Sequence, residues 1–272
     1  MAMNIARLHP GLRRWLTSFW AAWKVLSNWT DPLLFGFYLI LRPMATMLIL
    51  VVIVHAVGGG DRERLMFLYV GNAFFLLLMA GALAAEVIPN DRDWHNTIKA
   101  IYLAPGSYML HVLGWASAQL TTGAFSAAVL LTGGLLVLDL PLAIQPGRLI
   151  LVLALTTMAA FALSLLLASL ALFAGQGSEL IRGGTIGAIY LLSGLLFPPF
   201  ILPSPLKELA QVNPMTHLAT LFRASLGLPV AVPDLVGLSL SVTALLAAAI
   251  CVFRHAFRGV IRAGIIDRRH NY

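Results

Sequence analysis

The most polar stretch of the sequence holds the side chains with the most obvious chemistry. Between Glu86 and Pro105 the chain carries aspartates, an arginine, a histidine and a lysine close together. Carboxylates in the first turn of a helix and a lysine further on suit the helix dipole. We therefore predict a short helix that starts near Asn90 or Asp91 and runs to Lys99. On charge alone, this helix is either a solvated face or a docking surface for a partner protein.

Motifs for nucleotide, metal or nucleophile chemistry are missing from the sequence. The chain has no G-x-x-x-x-G-K-[ST], and its glycine runs at 58–60 and 183–184 lack the lysine of a phosphate-binding loop. Its histidines include no pair three or four residues apart, which is the spacing of a helical metal site. It has no G-x-S-x-G nucleophile motif either. We predict no catalytic residue, bound cofactor or metal in this chain.

A few residues inside apolar segments could have a role in binding or assembly. Arg42 precedes Pro43 about a third of the way into the first apolar segment. A cation at that depth has to face protein or a water-filled cavity, reach the interface, or pair with a partner. It is therefore either a ligand or gating contact or a structural arginine. Gly183 and Gly187 form a small-residue pair that suits close helix packing, within the chain or across a dimer.

The composition places these residues in a membrane protein. Of the 272 residues, 60% are apolar and 11% are charged, and the mean hydropathy is +0.88. These values exclude a soluble enzyme. The net charge of +7 indicates loop charges that set topology and contact anionic lipid headgroups, rather than nucleic-acid binding. The single cysteine, Cys251, excludes an internal disulfide.

Apolar segments along the chain predict an all-α membrane protein with six transmembrane helices. The predicted spans are approximately Leu33–Val57, Leu65–Ile88, Tyr108–Leu138, Leu149–Ala174, Ile181–Phe197 and Leu235–Phe253. Twelve basic residues then fall on the side of the termini and five on the other side, so both termini should be cytoplasmic. Residues 1–272 form one transmembrane domain, with spans one to five in 33–197, the sixth span in 234–256 and a cytoplasmic tail in 257–272.

Residues 1–32 predict an amphipathic helix that lies in the inner membrane interface. One side of its helical wheel is apolar and rich in aromatic residues, and the other side is polar. The apolar side carries Leu12, Trp15, Leu16, Phe19, Trp20, Trp23 and Leu26. The polar side, which should face water, carries Arg13, Arg14, Thr17, Ser18 and Lys24. Asp31 and Pro32 then form an N-cap and first-turn pair that begins the first span.

Half of the fourteen prolines lie in the outer segment 198–233. Between them are two short helical patterns, Pro205–Val212 and Pro214–Leu226, the second capped by Asn213. Both are too short to span and too apolar to lie in water, so we predict a re-entrant helical hairpin that forms an outer gate. Its gate residues are Phe197, Pro198, Phe200, Pro203, Asn213, Pro214, His217, Phe222 and Arg223. Arg223 either contacts a substrate headgroup or pairs with a phosphate or carbonyl.

Two segments resemble the type-2 integral-membrane permease subunits of ATP-binding-cassette exporters, which move polysaccharides, lipo-oligosaccharides, teichoic acids and drugs. The first is Leu192–Arg223, which contains LSGLLFP, LP, VNPMTH and a later arginine. It resembles the family signature of GxxFP, LP, NPxTH and arginine in the same order. The second is Asn96–Pro105, which is similar to the GTLExLxxxP coupling helix of the family. It matches at Thr97 and Pro105 and departs at Asn96 and Lys99.

The resemblance implies a half-transporter in a prokaryotic cytoplasmic (inner) membrane. Two permeases would form the pathway, and two copies of a separate ATPase subunit, which holds the ATP and Mg, would dock beneath them. The first and fifth spans would meet the second permease, and we favour a homodimer over a heterodimer. Coupling to the ATPase would use a short helix with Trp94 as its anchor. The coupling residues are Asp91, Arg92, Asp93, Trp94, His95, Asn96, Thr97 and Lys99.

We therefore predict an exporter subunit that moves an amphiphile, such as a lipid-linked glycan, a lipid or a hydrophobic drug. A pathway walled by apolar side chains cannot replace the hydration shell of a charged solute, but it accepts an acyl chain. One alternative is an ATP-independent carrier or channel, which the lack of a midplane carboxylate pair disfavours. The other is a membrane-embedded transferase, which the lack of an acid–base constellation disfavours.

Overall fold

A computed structural model describes residues 9–28, 31–59, 61–174 and 178–266, and the regular structure within these ranges is helical. In chain order the helices are α1 (Pro10–Asn28), α2 (Pro32–Gly58), α3 (Arg62–Leu83), α4 (Val87–Pro89), α5 (Ile98–Leu103), α6 (Tyr108–Val137), α7 (Pro146–Ala174), α8 (Ser178–Leu192), α9 (Leu206–Val212), α10 (Pro214–Ser225) and α11 (Leu235–Arg262). In the described ranges, five helices are long and apolar enough to cross a membrane: α2, α3 with its extension to Asp93, α6, α7 and α11.

The bundle is built around α3, which packs against α2, α6, α7 and α10. Its side chains include Tyr69 and Phe74, which are fully buried. Glycines allow the close approach of its neighbours, since a methyl group on Gly123 of α6 would lie 2.4 Å from the Cβ of Ala80. Small residues at such crossings replace the hydrophobic driving force that helices lack in lipid. α11 packs along α7, and α1 packs along α6.

The helix that corresponds to the predicted fifth span is shorter than expected. α8 ends at Leu192 rather than at Phe197, and Gly194 follows with a left-handed φ of 63°. Its 15 residues give a length of about 22 Å, which is less than the roughly 30 Å of a bilayer core. The predicted fifth span, and with it the count of six spans, therefore stays a prediction.

The last helix is longer than expected. α11 runs to Arg262, past the predicted end of the sixth span at Phe253, so residues 257–262 of the predicted tail are helical. Phe257 explains the extension, because its ring stacks on Tyr108 with the centroids 5.0 Å apart. Arg254 and Arg258 lie one turn apart on the exposed side. These two charges lower the hydropathy of the sequence after Phe253, which is why the predicted span ends there, but the helix continues through them.

α1 is a helix as predicted, but its polar residues do not share one environment. Arg14 and Ser18 are buried, whereas Arg13 and Lys24 are exposed. The predicted placement of Arg14 and Ser18 in water is therefore wrong. A helical wheel separates an apolar side from a polar side, but it does not show that part of the polar side packs against α6. The position of α1 in the membrane interface stays a prediction.

The aromatic row of α1 borders the same contact with α6. Trp15, Phe19 and Trp23 are half-buried, and Trp20 is exposed. Trp15 Nε1 donates a hydrogen bond to Ser117 Oγ of α6 at 3.1 Å. Because Trp20 is exposed and Trp15 and Trp23 are only half-buried, indole rings of α1 remain accessible to lipid headgroups.

The predicted helix caps are confirmed. The Asp31 carboxylate accepts a hydrogen bond from the Leu33 backbone N–H at 2.8 Å, and the Asn213 side chain accepts one from Met215 N–H at 3.1 Å. Pro32 and Pro214 occupy the first turns of α2 and α10. Both pairs depend only on neighbours in the chain, which explains why the sequence predicts them.

Candidate functional site

The segment predicted as one coupling helix contains two helices separated by a break. The helix of the second span continues through Ala84–Glu86 and α4 into a π-helical turn at Asn90–Trp94. It ends there, because Asn96 adopts a φ of 55°, a left-handed conformation that asparagine tolerates better than most residues. α5 then forms a separate helix of six residues. The predicted continuous helix over Asp91–Lys99 is therefore wrong.

Asp91 is the centre of a buried hydrogen-bond network and is only 4% exposed. Its Oδ2 accepts a hydrogen bond from the Tyr108 hydroxyl at 2.8 Å and lies 2.9 Å from His111 Nε2. Its Oδ1 accepts one from the Thr97 hydroxyl at 3.2 Å. His111 Nδ1 lies 3.0 Å from Ser18 Oγ of α1. We call these five residues the Asp91 cluster; it joins α1, α6 and the segment before α5.

Two arginines next to the Asp91 cluster add further connections between helices by donating hydrogen bonds to backbone carbonyls. Arg92 is buried and its Nη2 donates to the carbonyls of Ala171 and Leu172, at 3.2 and 3.3 Å. These carbonyls belong to the last turn of α7, where helices leave acceptors unpaired. Arg14 of α1 donates to the carbonyls of Ile101, Ala104 and Gly106, at 2.5, 2.6 and 2.8 Å. Burial lowers the pKa of the Arg14 guanidinium through desolvation. Hydrogen bonds to carbonyls offset the cost of burying its charge.

The surface that this end of the bundle exposes differs from the predicted one. Asp91 and Arg92 lie inside the fold, Asp93 and Thr97 are half-buried, and the side chain of Trp94 lies outside the described residues. Exposed side chains come instead from the break and from α5. They are His95, Asn96, Lys99, Ala100, Tyr102 and Leu103. Leu103 is 79% exposed, which makes it the most prominent apolar tip of α5.

Sequence reasoning missed Tyr108, His111 and Leu103. Tyr108 and His111 are three residues apart at the start of α6, so they share one face, which was a signal that polar groups meet there. A further pair that was missed is Glu86 with Arg182 of α8, which form an ion pair. This pair joins α8 to the helix of the second span. No local pattern links those two residues.

A groove of about 940 Å³ lies between α1 and α5. Arg13 and Thr17 line it from α1, and Ala100 and Ile101 line it from α5. Asp91 and His111 form part of its floor. The groove and α5 therefore both adjoin the buried Asp91 cluster.

Arg223 occupies a buried position near the other end of α3. It is 3% exposed, and its Nη2 donates to the carbonyls of Leu195 at 3.0 Å and Phe67 at 3.3 Å. Its guanidinium lies 3.6 Å from the centroid of the Phe67 ring. Of the two alternatives for Arg223, the structure has the pairing with carbonyls. Its placement beside a headgroup is wrong for this chain.

Gly71 of α3 makes the approach of Arg223 possible. A Cβ at position 71 would lie 2.4 Å from Arg223 Nη2 and 2.5 Å from the Leu195 carbonyl oxygen. Both distances are shorter than any ordinary contact, so a side chain here would displace the guanidinium or the turn. We call Arg223, Gly71, Phe67 and Leu195 the Arg223 anchor.

The other predicted gate residues divide between core and surface. Phe222 is buried, and its ring centroid lies 5.5 Å from that of Phe74. Asn213 and Pro214 are half-buried, and Asn213 Nδ2 donates to Ser193 Oγ at 3.4 Å. His217 Nε2 lies 2.8 Å from the Gln211 carbonyl oxygen. Phe197 and Pro198 are half-buried, whereas Pro203 and Phe200 are exposed.

The outer segment therefore has a buried helix and an exposed edge. α10 packs against α3, α7 and α11, and Thr216 donates to the Leu192 carbonyl at the end of α8. The exposed edge carries Phe200, Ile201, Leu209 and Val212, the last of which is 82% exposed. Both short helices exist as predicted. Their re-entrant insertion into a membrane stays a prediction.

The predicted assembly residues lie on open helix faces. Arg42 is exposed on α2, and its Nη1 donates to the Tyr38 hydroxyl at 3.3 Å. Among the described residues, no heavy atom outside the adjoining backbone of α8 lies within 4 Å of the position of a Cβ at Gly183 or Gly187. These three residues belong to neither the Asp91 cluster nor the Arg223 anchor.

One comparison with known proteins identifies the family of this chain. The family profile described as ABC-2 type transporter matches residues 14–226. The match runs from Arg14 to Leu226 and so includes the Asp91 cluster, α5 and the Arg223 anchor. The chain belongs to the ABC-2 type transporter family. A comparison with curated proteins finds no match.

Membership of the family establishes the general role of the chain. It is the multi-pass membrane component of an ABC-type transporter, that is, a transport permease. ABC-2 permeases typically lack an ATP site of their own, and the family implies a partnership with an ABC ATPase subunit.

Proposed function

We propose that this permease is the transmembrane half of an ATP-driven exporter. Two copies of the chain form the pathway, and two copies of a separate ATPase dock on the side that carries α5. This side and both termini lie in the cytoplasm of a prokaryote, as the distribution of basic residues favours. The observation that carries the proposal is the short exposed helix α5, which is attached to buried polar groups rather than to a loose loop.

Coupling in this proposal is mechanical. Closure of the ATPase dimer moves α5, and a rigid attachment is needed to pass that displacement to the spans. Arg14 ties α5 to α1, and the Asp91 cluster ties the preceding segment to α6. Arg92 ties the same turn to the end of α7. A movement of α5 therefore reaches three helices through hydrogen bonds to buried groups.

The ATPase contact uses Tyr102 and Leu103 as apolar anchors, with Lys99 and His95 at the rim. Apolar and aromatic tips commonly dominate interface energies, while rim charges set orientation. These anchors stand beside Trp94, which stays a predicted anchor because its side chain lies outside the described residues. The groove between α1 and α5 supports a docking role for the same surface.

The variant Leu103→Asp tests the docking surface. In the purified complex of permease and ATPase, we expect it to weaken assembly and to abolish transport-coupled ATP hydrolysis. Val212→Asp is the matched control, because Val212 is equally exposed but lies in the outer segment. Unchanged assembly and coupling in Leu103→Asp would contradict the proposal. Transport that persists without any ATPase would favour a carrier or channel instead.

The cargo is an amphiphile with a large apolar part. The exposed face of α2 supports this, since it presents Leu41, Leu48 and Val52, and α2 contains no acidic residue. Such a surface accepts an acyl or polyprenyl chain at little cost but cannot solvate a bare ion. In reconstituted complexes we expect a polyprenyl-linked saccharide or a hydrophobic drug to stimulate ATP hydrolysis. Stimulation confined to small hydrophilic sugars would overturn this part of the proposal.

A further inference from the structure

A cavity of about 400 Å³ lies between α2, α3 and α6. Its volume falls within the range of small-molecule sites. Phe35, Leu39 and Met79 contribute apolar wall, and Leu26 of α1 lies at its border. Arg42, Gln119 and Ser126 contribute polar groups to the same cavity. None of these polar residues belongs to the Asp91 cluster or to the Arg223 anchor.

Arg42 lies well inside the apolar helix α2 and not at its end. It follows the start of α2 by ten residues, so its Cα lies about 15 Å along the helix. Helical side chains point back towards the N-terminus, and the guanidinium accordingly meets the Tyr38 hydroxyl at 3.3 Å, one turn earlier. Its charge therefore lies in the leaflet in which α2 begins, at a depth that a lipid headgroup can approach through the open side of α2.

Arg42 has no counterion among the residues that the structure describes. Among the described residues, Arg42 contacts Tyr38 through the hydroxyl and the ring, and no carboxylate pairs with it. In the sequence, α2, α6, α7 and α11 contain no Asp or Glu, and α3 has only Glu63 in its first turn. Of the remaining acidic residues near the spans, Glu179 lies in the first turn of α8, and Glu86 pairs with Arg182. The charge of Arg42 is therefore open to an anion from outside the protein.

The neutral polar groups of the cavity are also available. Gln119 and Ser126 make no side-chain hydrogen bond to other described residues. A guanidinium, an amide and a hydroxyl together offer donors to an oxyanion, and phosphate accepts such charge-assisted hydrogen bonds well. The apolar wall beside them can cover an acyl chain. One molecule that satisfies both parts is a lipid with an anionic phosphate headgroup.

We infer that this cavity binds an anionic phospholipid, with the phosphate beside Arg42 and an acyl chain against Phe35, Leu39 and Met79. The site does not depend on what the transporter exports, since the lipid is a bound component of the surrounding leaflet. Its charge selects anionic lipids, and its amide and hydroxyl orient the headgroup. An arginine that merely faces water would show no such selection.

The test compares lipid retention by the purified full-length chain, using native mass spectrometry after incubation with phosphatidylglycerol or phosphatidylcholine of the same acyl chains. We expect the native protein to retain phosphatidylglycerol preferentially. Arg42→Gln should lower this preference about fivefold or more, since one basic residue near an anionic lipid is worth about 1 kcal/mol. Arg42→Lys should keep most of it. Arg64→Gln is the control, because Arg64 is exposed in the first turn of α3.

Equal retention of the two lipids by the native protein would overturn the inference, as would a full preference in Arg42→Gln. If Arg42→Gln fails to fold, Gln119→Leu decides the question, because it removes the amide at nearly constant volume. Lower retention of phosphatidylglycerol by Gln119→Leu than by the native protein supports the site. Retention equal to that of the native protein overturns it.

Discussion

The two ends of α3 are joined to their neighbouring segments in different ways. Beyond one end, the Asp91 cluster and Arg14 hold the segment that follows α3 and the helix α5 through several side chains from α1 and α6. At the other end, the Arg223 anchor relies on one guanidinium, two carbonyls and a glycine that leaves room for them. The first arrangement is redundant and partly open to a groove, and the second is compact and closed. We expect redundancy where a segment must move with its neighbours and a single tight anchor where a turn must stay in place.

The largest effect that this comparison predicts is for Arg223→Met. The substitution leaves the buried carbonyl of Leu195 without a donor, which costs about 1–3 kcal/mol. It also removes the side-chain donor of the Phe67 carbonyl, which keeps its backbone hydrogen bond within α3. We expect the free energy of unfolding in mixed micelles to fall by about 3 kcal/mol. Arg64→Met, at an exposed arginine, serves as the control. A loss as small as that of the control would mean that the anchor is not a single essential contact.

Gly71→Ala should be the next most damaging change. The added methyl group meets Arg223 Nη2 and the Leu195 carbonyl, so the anchor must shift, at a cost of about 2 kcal/mol. Gly183→Ala is the matched control on an open face of α8, where alanine should be neutral or slightly stabilising. The measurement is the same unfolding titration. Equal results for the two variants would refute the close approach at Gly71.

Asp91→Asn tests the redundant end. The amide can still accept from Tyr108 or Thr97, but it loses the charge that strengthens three hydrogen bonds. We expect a loss of about 1.5 kcal/mol in the free energy of unfolding, together with a larger proportional loss of transport-coupled ATP hydrolysis. Asp61→Asn is the control, because asparagine also caps a helix well and Asp61 is exposed. Normal coupling in Asp91→Asn would show that the cluster does not transmit movement.

Arg14→Gln should have the smallest effect on stability of the four, about 1 kcal/mol. Its carbonyl partners lie in an exposed segment, so water can replace some of the lost donors. Arg13→Gln is a control one residue away, because Arg13 is exposed. Proteolysis of the α1 and α5 region should increase only in Arg14→Gln. Identical proteolysis in both variants would mean that Arg14 does not fasten α1 to α5.

Much of the fold follows from patterns within the chain, while less of the site does. The apolar segments predict the long helices, and the aromatic pattern of residues 12–26 predicts α1. Prediction failed where a polar residue turns inward, as at Arg14 and Asp91, and it left Arg223 open between a headgroup and a carbonyl partner. It also failed at the end of α11, because hydropathy reports the lipid-facing length of a helix and not its full length.

The sequence by itself determined the membrane class, the long apolar helices and the caps at Asp31 and Asn213, because each depends on residues that are close in the chain. Only the tertiary structure decided which polar groups are interior. The partners of Arg223 and Arg14 include backbone carbonyls 156 and 90 residues away in the chain. Since every residue has a backbone carbonyl, the sequence does not show which one will accept a given hydrogen bond. A buried charge is stable only where such acceptors converge, and their convergence depends on how the helices pack.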